Sequence, residues 1–182
     1  MLADFEIEKL AVEKGMIDPF DGKSVGKVIS FGLSSYGYDY RIADEFLVPD
    51  SEFKGVLDPK NVPDNLFAPI KTKILEVKPN SFILAKSYEY FRIPKNILGI
   101  SFGKSTLARS GIFVNVTPLE PEWEGYLTIS IANLSPYPVK LYAFEGIAQL
   151  VFYKAENICK TSYKDKKGKY QAQKKITVSK IK

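Results

Sequence analysis

The sequence predicts a mainly β protein, a sandwich, jelly roll or barrel with one helix at its front and a basic tail at its end. Short apolar runs recur between Gly, Pro and Asn from residue 36 to residue 153, the spacing of an all-β chain. At 182 residues the chain suits one domain, residues 1–182, with a core that needs neither metal nor disulfide. The lysines concentrate at the end: residues 160–182 hold nine Lys and one Asp, a charge of +8, so a net charge of +5 leaves −3 on the body.

Residues 3–14 read as an amphipathic helix with Phe5, Ile7, Leu10 and Ala11 facing inward, Lys14 in the last turn and Gly15 as its stop. Strands follow at 36–42, 45–49, 82–91, 97–103, 111–118, 125–133, 137–144 and 146–153. Residues 54–69 hold three prolines and read as a surface excursion with no strand of their own. One helical pattern, STLARSG, interrupts the strands. Tyr163, Tyr170, Gln171 and Gln173 interleave the terminal lysines, which predicts a partly ordered tail suited to phosphate.

No apolar run approaches the ~20 residues that span a bilayer, and the N-terminus is acidic, so the expectation is a cytoplasmic protein with no membrane partner. Cys159 is the single cysteine and histidine is absent. That excludes internal disulfides, His-ligated and multi-Cys zinc sites, and Ser-His-Asp or Cys-His catalysis, leaving carboxylates, hydroxyls, Lys, Arg and Tyr.

Four stretches could carry chemistry. GKSTLARSG (103–111) gathers, within its first seven residues, a Gly turn, two hydroxyls and two cations, a phosphate cradle or a capped turn with solvated cations; it lacks the upstream Gly of a P-loop. VTPLEPEWEG (116–125) sets Glu120, Glu122 and Glu124 around the only Trp, either an acidic turn whose Trp packs on the core or a seat for a sugar or base. EGIAQLVF (145–152) buries Gln149 in an apolar strand, where it ties down a loop or reads a ligand. In SYGYDYRI, Asp39 and Arg41 read as a buried ion pair or as ligand contacts. The strand at 125–133 turns Leu127, Ile129 and Ile131 to the core and Tyr126, Thr128, Ser130 and Ala132 to the other face.

Together SSYGYDYRI, GKSTLARSGIFVNVTPLEPEWEGYLTI, EGIAQLVF and SYKDKKGKYQAQ resemble the dCTP deaminase family, in the superfamily it shares with dUTPase, from about Gly15 into the tail. The resemblance implies a distorted jelly-roll or β-barrel of the dUTPase-like type and a homotrimer with active sites between subunits. It implies zinc-independent hydrolysis of dCTP to dUTP and ammonia in pyrimidine deoxynucleotide metabolism, with Mg2+ carried as the nucleotide complex and dTTP as a candidate inhibitor. A neighbouring subunit would contribute Lys104, Ser105, Thr106, Leu107, Ala108 and Arg109, with Lys104 and Ser105 on phosphate and Arg109 near the catalytic water. Glu120 matches the residue at the deoxyribose, Thr128 and Ile129 the strand that reads cytosine through its backbone, Gln149 a nucleotide contact, and Tyr163, Lys169 and Gln173 the tail that closes over the triphosphate.

This chain departs from the family at one catalytic position. The family pattern TIEIS carries its catalytic glutamate where this chain has Ser130, and a serine hydroxyl cannot act alone as a general base near neutral pH. The readings are a dCTP deaminase with impaired turnover, a non-catalytic dCTP- or dTTP-binding homologue, or an enzyme whose carboxylate comes from Glu120. A dUTP pyrophosphatase fits less well, since that branch ends in a Gly-rich tail with Arg and Ser. A nucleic-acid binder using the lysines is the weakest reading.

Overall fold

A computed structural model describes residues 1–180 of the chain. The first helix, α1 (Asp4–Lys14), places Asp4 and Glu6 in its first turn and Lys14 in its last, complementing the helix dipole. The Ala3 N–H donates to Glu6 Oε2 at 3.0 Å, and Gly15, at φ 61°, ends the helix in a left-handed turn. Ile7 and Ala11 are buried with Leu10 packed beside them, but Phe5 is 68% exposed, contrary to the sequence expectation. Residues 5 and 7 lie about 200° apart around a helix, so one inward stripe cannot hold both.

The strands are β1 (Ile17–Asp18), β2 (Gly32–Ser34), β3 (Gly37–Pro49), β4 (Phe67–Lys71), β5 (Ile74–Val77), β6 (Ser81–Arg92) and β7 (Ile97–Gly103). A single helical turn, α2 (Ser105–Ala108), precedes β8 (Ile112–Asn115), β9 (Glu124–Asn133), β10 (Val139–Tyr142) and β11 (Gly146–Lys154). The main sheet runs β7-β11-β3-β6-β9-β8, with β1 on β6 and both β2 and β4 on β3, while β5 and β10 form a separate pair. Every pairing between these strands is antiparallel. The two ends of the path nearly meet, because Gly99 of β7 exchanges both backbone bonds, at 3.0 and 2.8 Å, with Leu119 beyond β8. The sheet is therefore a nearly closed barrel.

The alternation in the sequence became strand faces with few changes. The two runs at 36–42 and 45–49 are one strand, β3, bent by a register shift between Ile42 and Phe46. The 54–69 excursion ends inside β4, which pairs only with β3; at that outer edge Pro69 leaves no ladder bond unmade on the solvent side. The run at 111–118 is a strand only over Ile112–Asn115. Tyr38, Tyr40, Ile42 and Phe46 of β3, Phe91 of β6, Ile129 and Ile131 of β9 and Leu150 and Phe152 of β11 are at most 1% exposed and make one core. Inside it the Tyr40 hydroxyl meets Ser101 Oγ at 2.8 Å, and burial raises the Tyr40 phenol above its ordinary pKa. Among the described residues no helix is long and apolar enough to cross a membrane.

Arg41 and Asp39, two positions apart in the motif, do not pair with each other. The Arg41 Nε donates to Glu89 Oε1 at 2.7 Å and its backbone N–H to Glu89 Oε2 at 2.9 Å. Its Nη2 lies 2.5 Å from Asp21 Oδ2, and its guanidinium sits 4.3 and 4.5 Å from the ring centres of Phe31 and Tyr88. The Glu89 side chain is fully buried; burial pushes its carboxyl up, against the pull of Arg41. Glu89→Ala would leave the guanidinium without its main counter-charge, and the expected loss of folding stability is about 3–5 kcal/mol, read as a lowered urea midpoint with unchanged slope.

Candidate active site

The outward row of β9 pairs across to Tyr90, Lys86, Leu84 and Phe82 of β6, facing Tyr126, Thr128, Ser130 and Ala132 in that order. On its other side β9 meets β8 only from Ser130 to Asn133. The edge from Gly125 to Thr128 is left for another partner, and the C-terminal tail takes it. The Tyr126 N–H donates to the Gln173 carbonyl at 3.0 Å, Gln173 Nε2 donates to the Tyr126 carbonyl at 2.7 Å, and the Thr177 N–H donates to Thr128 Oγ1 at 3.0 Å. Gly125 and Gln173 form a parallel bridge.

The tail reaches this edge through a folded segment of its own. The Tyr163 hydroxyl accepts the Tyr170 N–H at 3.1 Å, and the Tyr163 ring lies so close to Gly168 that a Cβ there would fall 2.1 Å from it, so that turn requires glycine. Ser162 donates through its N–H and hydroxyl to Asp165 Oδ2 at 2.9 and 3.0 Å, which holds the Asp165 carboxyl below the ordinary range. The Trp123 indole N–H donates to the Tyr170 carbonyl at 2.9 Å, so the tryptophan, 7% exposed, is clamped between core and tail.

Between strand and tail lies a cavity of about 210 Å³ whose walls include Glu120, Trp123, Thr128, Tyr163, Tyr170, Gln173 and Thr177. An indole and two phenols give it flat apolar walls, and a carboxylate, hydroxyls and an amide give it a polar rim. Glu120 Oε2 is 3.0 Å from Lys166 Nζ. Gln173 Oε1 is buried and without a hydrogen-bond partner.

Of the residues singled out in the sequence, Glu120, Thr128, Tyr163 and Gln173 share this cavity. Ile129 points its side chain into the core and leaves only its backbone to the strand edge. Ser130, half-buried, lies two positions beyond Thr128 on the same face, paired across from Leu84 and Asn115, neither of which is a carboxylate. The other residues lie apart from the cavity. Lys169 Nζ donates to the Lys180 carbonyl at 2.7 Å, and Gln149 Nε2 donates to Ser34 Oγ at 3.0 Å, tying β11 to β2. In α2, Leu107 is buried while Ser105, Thr106, Ala108 and Arg109 are exposed; Lys104 pairs with Asp39 at 2.7 Å. Tyr170 and Thr177 line the cavity without having been assigned a role: Tyr170 lies within SYKDKKGKYQAQ, where its place among the interleaved lysines was the signal, and Thr177 lies beyond it.

Fold and site define a β-barrel protein whose basic C-terminal tail closes a small polar-rimmed cavity against one strand. The model of the dCTP deaminase-like family matches residues 1–155, and the chain belongs to that family. Its relatives include the dCTP deaminase of Nitrosospira multiformis, 50% identical over 185 residues and 98% of each chain. The dCTP deaminase of Nitratiruptor sp. is 53% identical over 180 residues, covering 98% of this chain and 97% of that one. Both alignments take in the tail, which lies outside the family match. Among solved structures, the 2'-deoxycytidine 5'-triphosphate deaminase from Agrobacterium tumefaciens superposes with a TM-score of 0.63 over 85% of this chain at 15% identity. That likeness is one of fold, and this chain spans about half the length of that protein, 47% of it.

Because Trp123 is the only tryptophan, its emission reports the tail directly. A chain truncated before Tyr163 is expected to show Trp123 fluorescence shifted to longer wavelength than the intact protein, with little change in far-UV circular dichroism.

Proposed function

We propose that the chain hydrolyses dCTP to dUTP and ammonia at sites shared between copies of a homotrimer in the cytoplasm, with turnover limited by Ser130. The observation that carries this reading is identity of about half the residues, over nearly the whole length, with proteins named dCTP deaminase. The cavity supports it, since flat aromatic walls with a polar rim suit a base and a sugar. In this reading Glu120 takes the deoxyribose hydroxyl, the backbone at Thr128 and Ile129 meets the cytosine edge, and Tyr163, Lys169 and Gln173 close over the triphosphate. Lys104, Ser105, Thr106 and Arg109, exposed or turned away from their own chain's cavity, serve that of a neighbouring copy, and Gln149 joins them. The substrate is the magnesium complex of dCTP, its metal held through the phosphates.

The reaction adds water to C4 of cytosine, moves a proton to N3, and breaks the C4–N4 bond so that the amine leaves with a proton as ammonia; water and dCTP balance dUTP and ammonia. A carboxylate at the strand position opposite Leu84 would carry these protons, and Ser130 cannot. Ser130→Glu is therefore expected to raise dUTP and ammonia formation by roughly 10²- to 10⁴-fold, with dCTP affinity little changed. Products followed by chromatography test this: dUMP in place of dUTP would make the protein a bifunctional enzyme that both deaminates dCTP and releases diphosphate.

The Ser130 hydroxyl also favours a second reading, a dCTP- or dTTP-binding protein without turnover. Saturable binding of either nucleotide, with no ammonia even from the Ser130→Glu variant, would establish it.

A further inference from the structure

The turn at 104–109 has little to hold it in place. α2 is one helical turn, too short to be stable by its own propensity, and Lys104, which precedes it, makes no side-chain cap. Two anchors remain. Leu107, 4% exposed, sits in the core. Lys104 Nζ donates to Asp39 Oδ2 at 2.7 Å, with the two side chains 10% and 12% exposed.

The register explains why these two groups meet. Asp39 of β3 stands opposite Gln149 of β11, which stands opposite Phe102 of β7, and Lys104 follows two residues on. The three strands thus present Asp39, Gln149 and Lys104 toward one face. Asp39 uses one of the three ammonium hydrogens. A lysine stem has many rotamers, and a group already fixed in the free protein does not lose that freedom when ligand arrives.

We propose that Asp39 is a positioning residue for the nucleotide site, acting through Lys104: it fixes the ammonium, and with it the turn that presents Ser105, Thr106 and Arg109. The assignment rests on reading that turn as a phosphate-facing surface. Lys104 then contributes to triphosphate affinity only while Asp39 holds it, and the pair behaves as a unit.

A double-mutant cycle tests this by titration calorimetry of Asp39→Asn, Lys104→Met and the double variant with magnesium dCTP and with deoxycytidine, which has no phosphate. Each single variant is expected to bind dCTP about tenfold more weakly, the scale of one charge-assisted hydrogen bond, and the double variant no more weakly than either. Deoxycytidine affinity stays the same throughout. Additive losses would mean that Lys104 acts on the ligand independently of Asp39, and unchanged or tighter dCTP binding by Asp39→Asn would show that Asp39 positions nothing; either overturns the proposal. Where a single variant fails to fold, the double variant, which buries neither charge, decides the matter: the tenfold loss confined to dCTP upholds the pair's role and wild-type affinity overturns it. Failure of the unsubstituted chain to bind dCTP at all would remove the nucleotide reading itself, and this assignment with it.

Discussion

The pairing of Arg41 with Glu89 is the constraint on which the rest of the barrel depends. It joins β3 to β6 by two bonds from one residue, one through the side chain and one through the backbone. Phe31 and Tyr88 flank the guanidinium and Asp21 brings in the loop before β2, so segments far apart in sequence meet at one cation. A charge so enclosed tolerates only one arrangement of its surroundings. The same stretch of β6 sets the next strand: at the register shift between Lys86 and Tyr90, the Ser87 hydroxyl donates to the Glu89 carbonyl at 2.7 Å and accepts the Leu127 N–H at 2.8 Å. Leu127 is thereby pinned inward and Tyr126, Thr128 and Ser130 outward. A slip of one residue would exchange the two faces and bury the polar row.

From that register the site follows. β8 is too short to cover the whole of β9, so the strand keeps open backbone groups beside a row of small polar side chains, and the basic tail lies against them. The charge asymmetry of the chain thus has a structural meaning: the positive end is brought to the strand that carries Thr128 and Ser130. The tail is held by a few backbone bonds and by side chains such as Trp123, Gln171 and Gln173, with few buried aliphatic contacts, the composition of a segment at the low end of local stability.

How much of this was legible in the sequence depends on the range of the interaction. Alternation along β9 and short apolar runs bounded by turn formers at β6 and β11 made these strands readable, since both are local properties. β5, whose four residues alternate without turn signals at both ends, and β4, which opens inside a proline-rich stretch, were not. Phe5 was misplaced because proximity in sequence was read as a shared face. Asp39 and Arg41 read as a buried ion pair or as ligand contacts; both are buried, but their partners, Lys104 and Glu89, stand 65 and 48 residues away and no pattern names them. Glu120, Thr128, Tyr163 and Gln173 were named through family resemblance, and the fold brings them to one cavity, whereas Thr177 enters it only because the tail folds back to the strand it faces.

The bridge between Gly125 and Gln173 also bears on association between chains. An uncovered strand edge offers a donor and an acceptor to any passing chain, which is how sheets recruit one another into aggregates. Gln173 closes that opening by saturating both the N–H and the carbonyl of Tyr126. Gln173 therefore serves as an edge guard, and whatever displaces it must offer an acceptor and a donor at the same spacing.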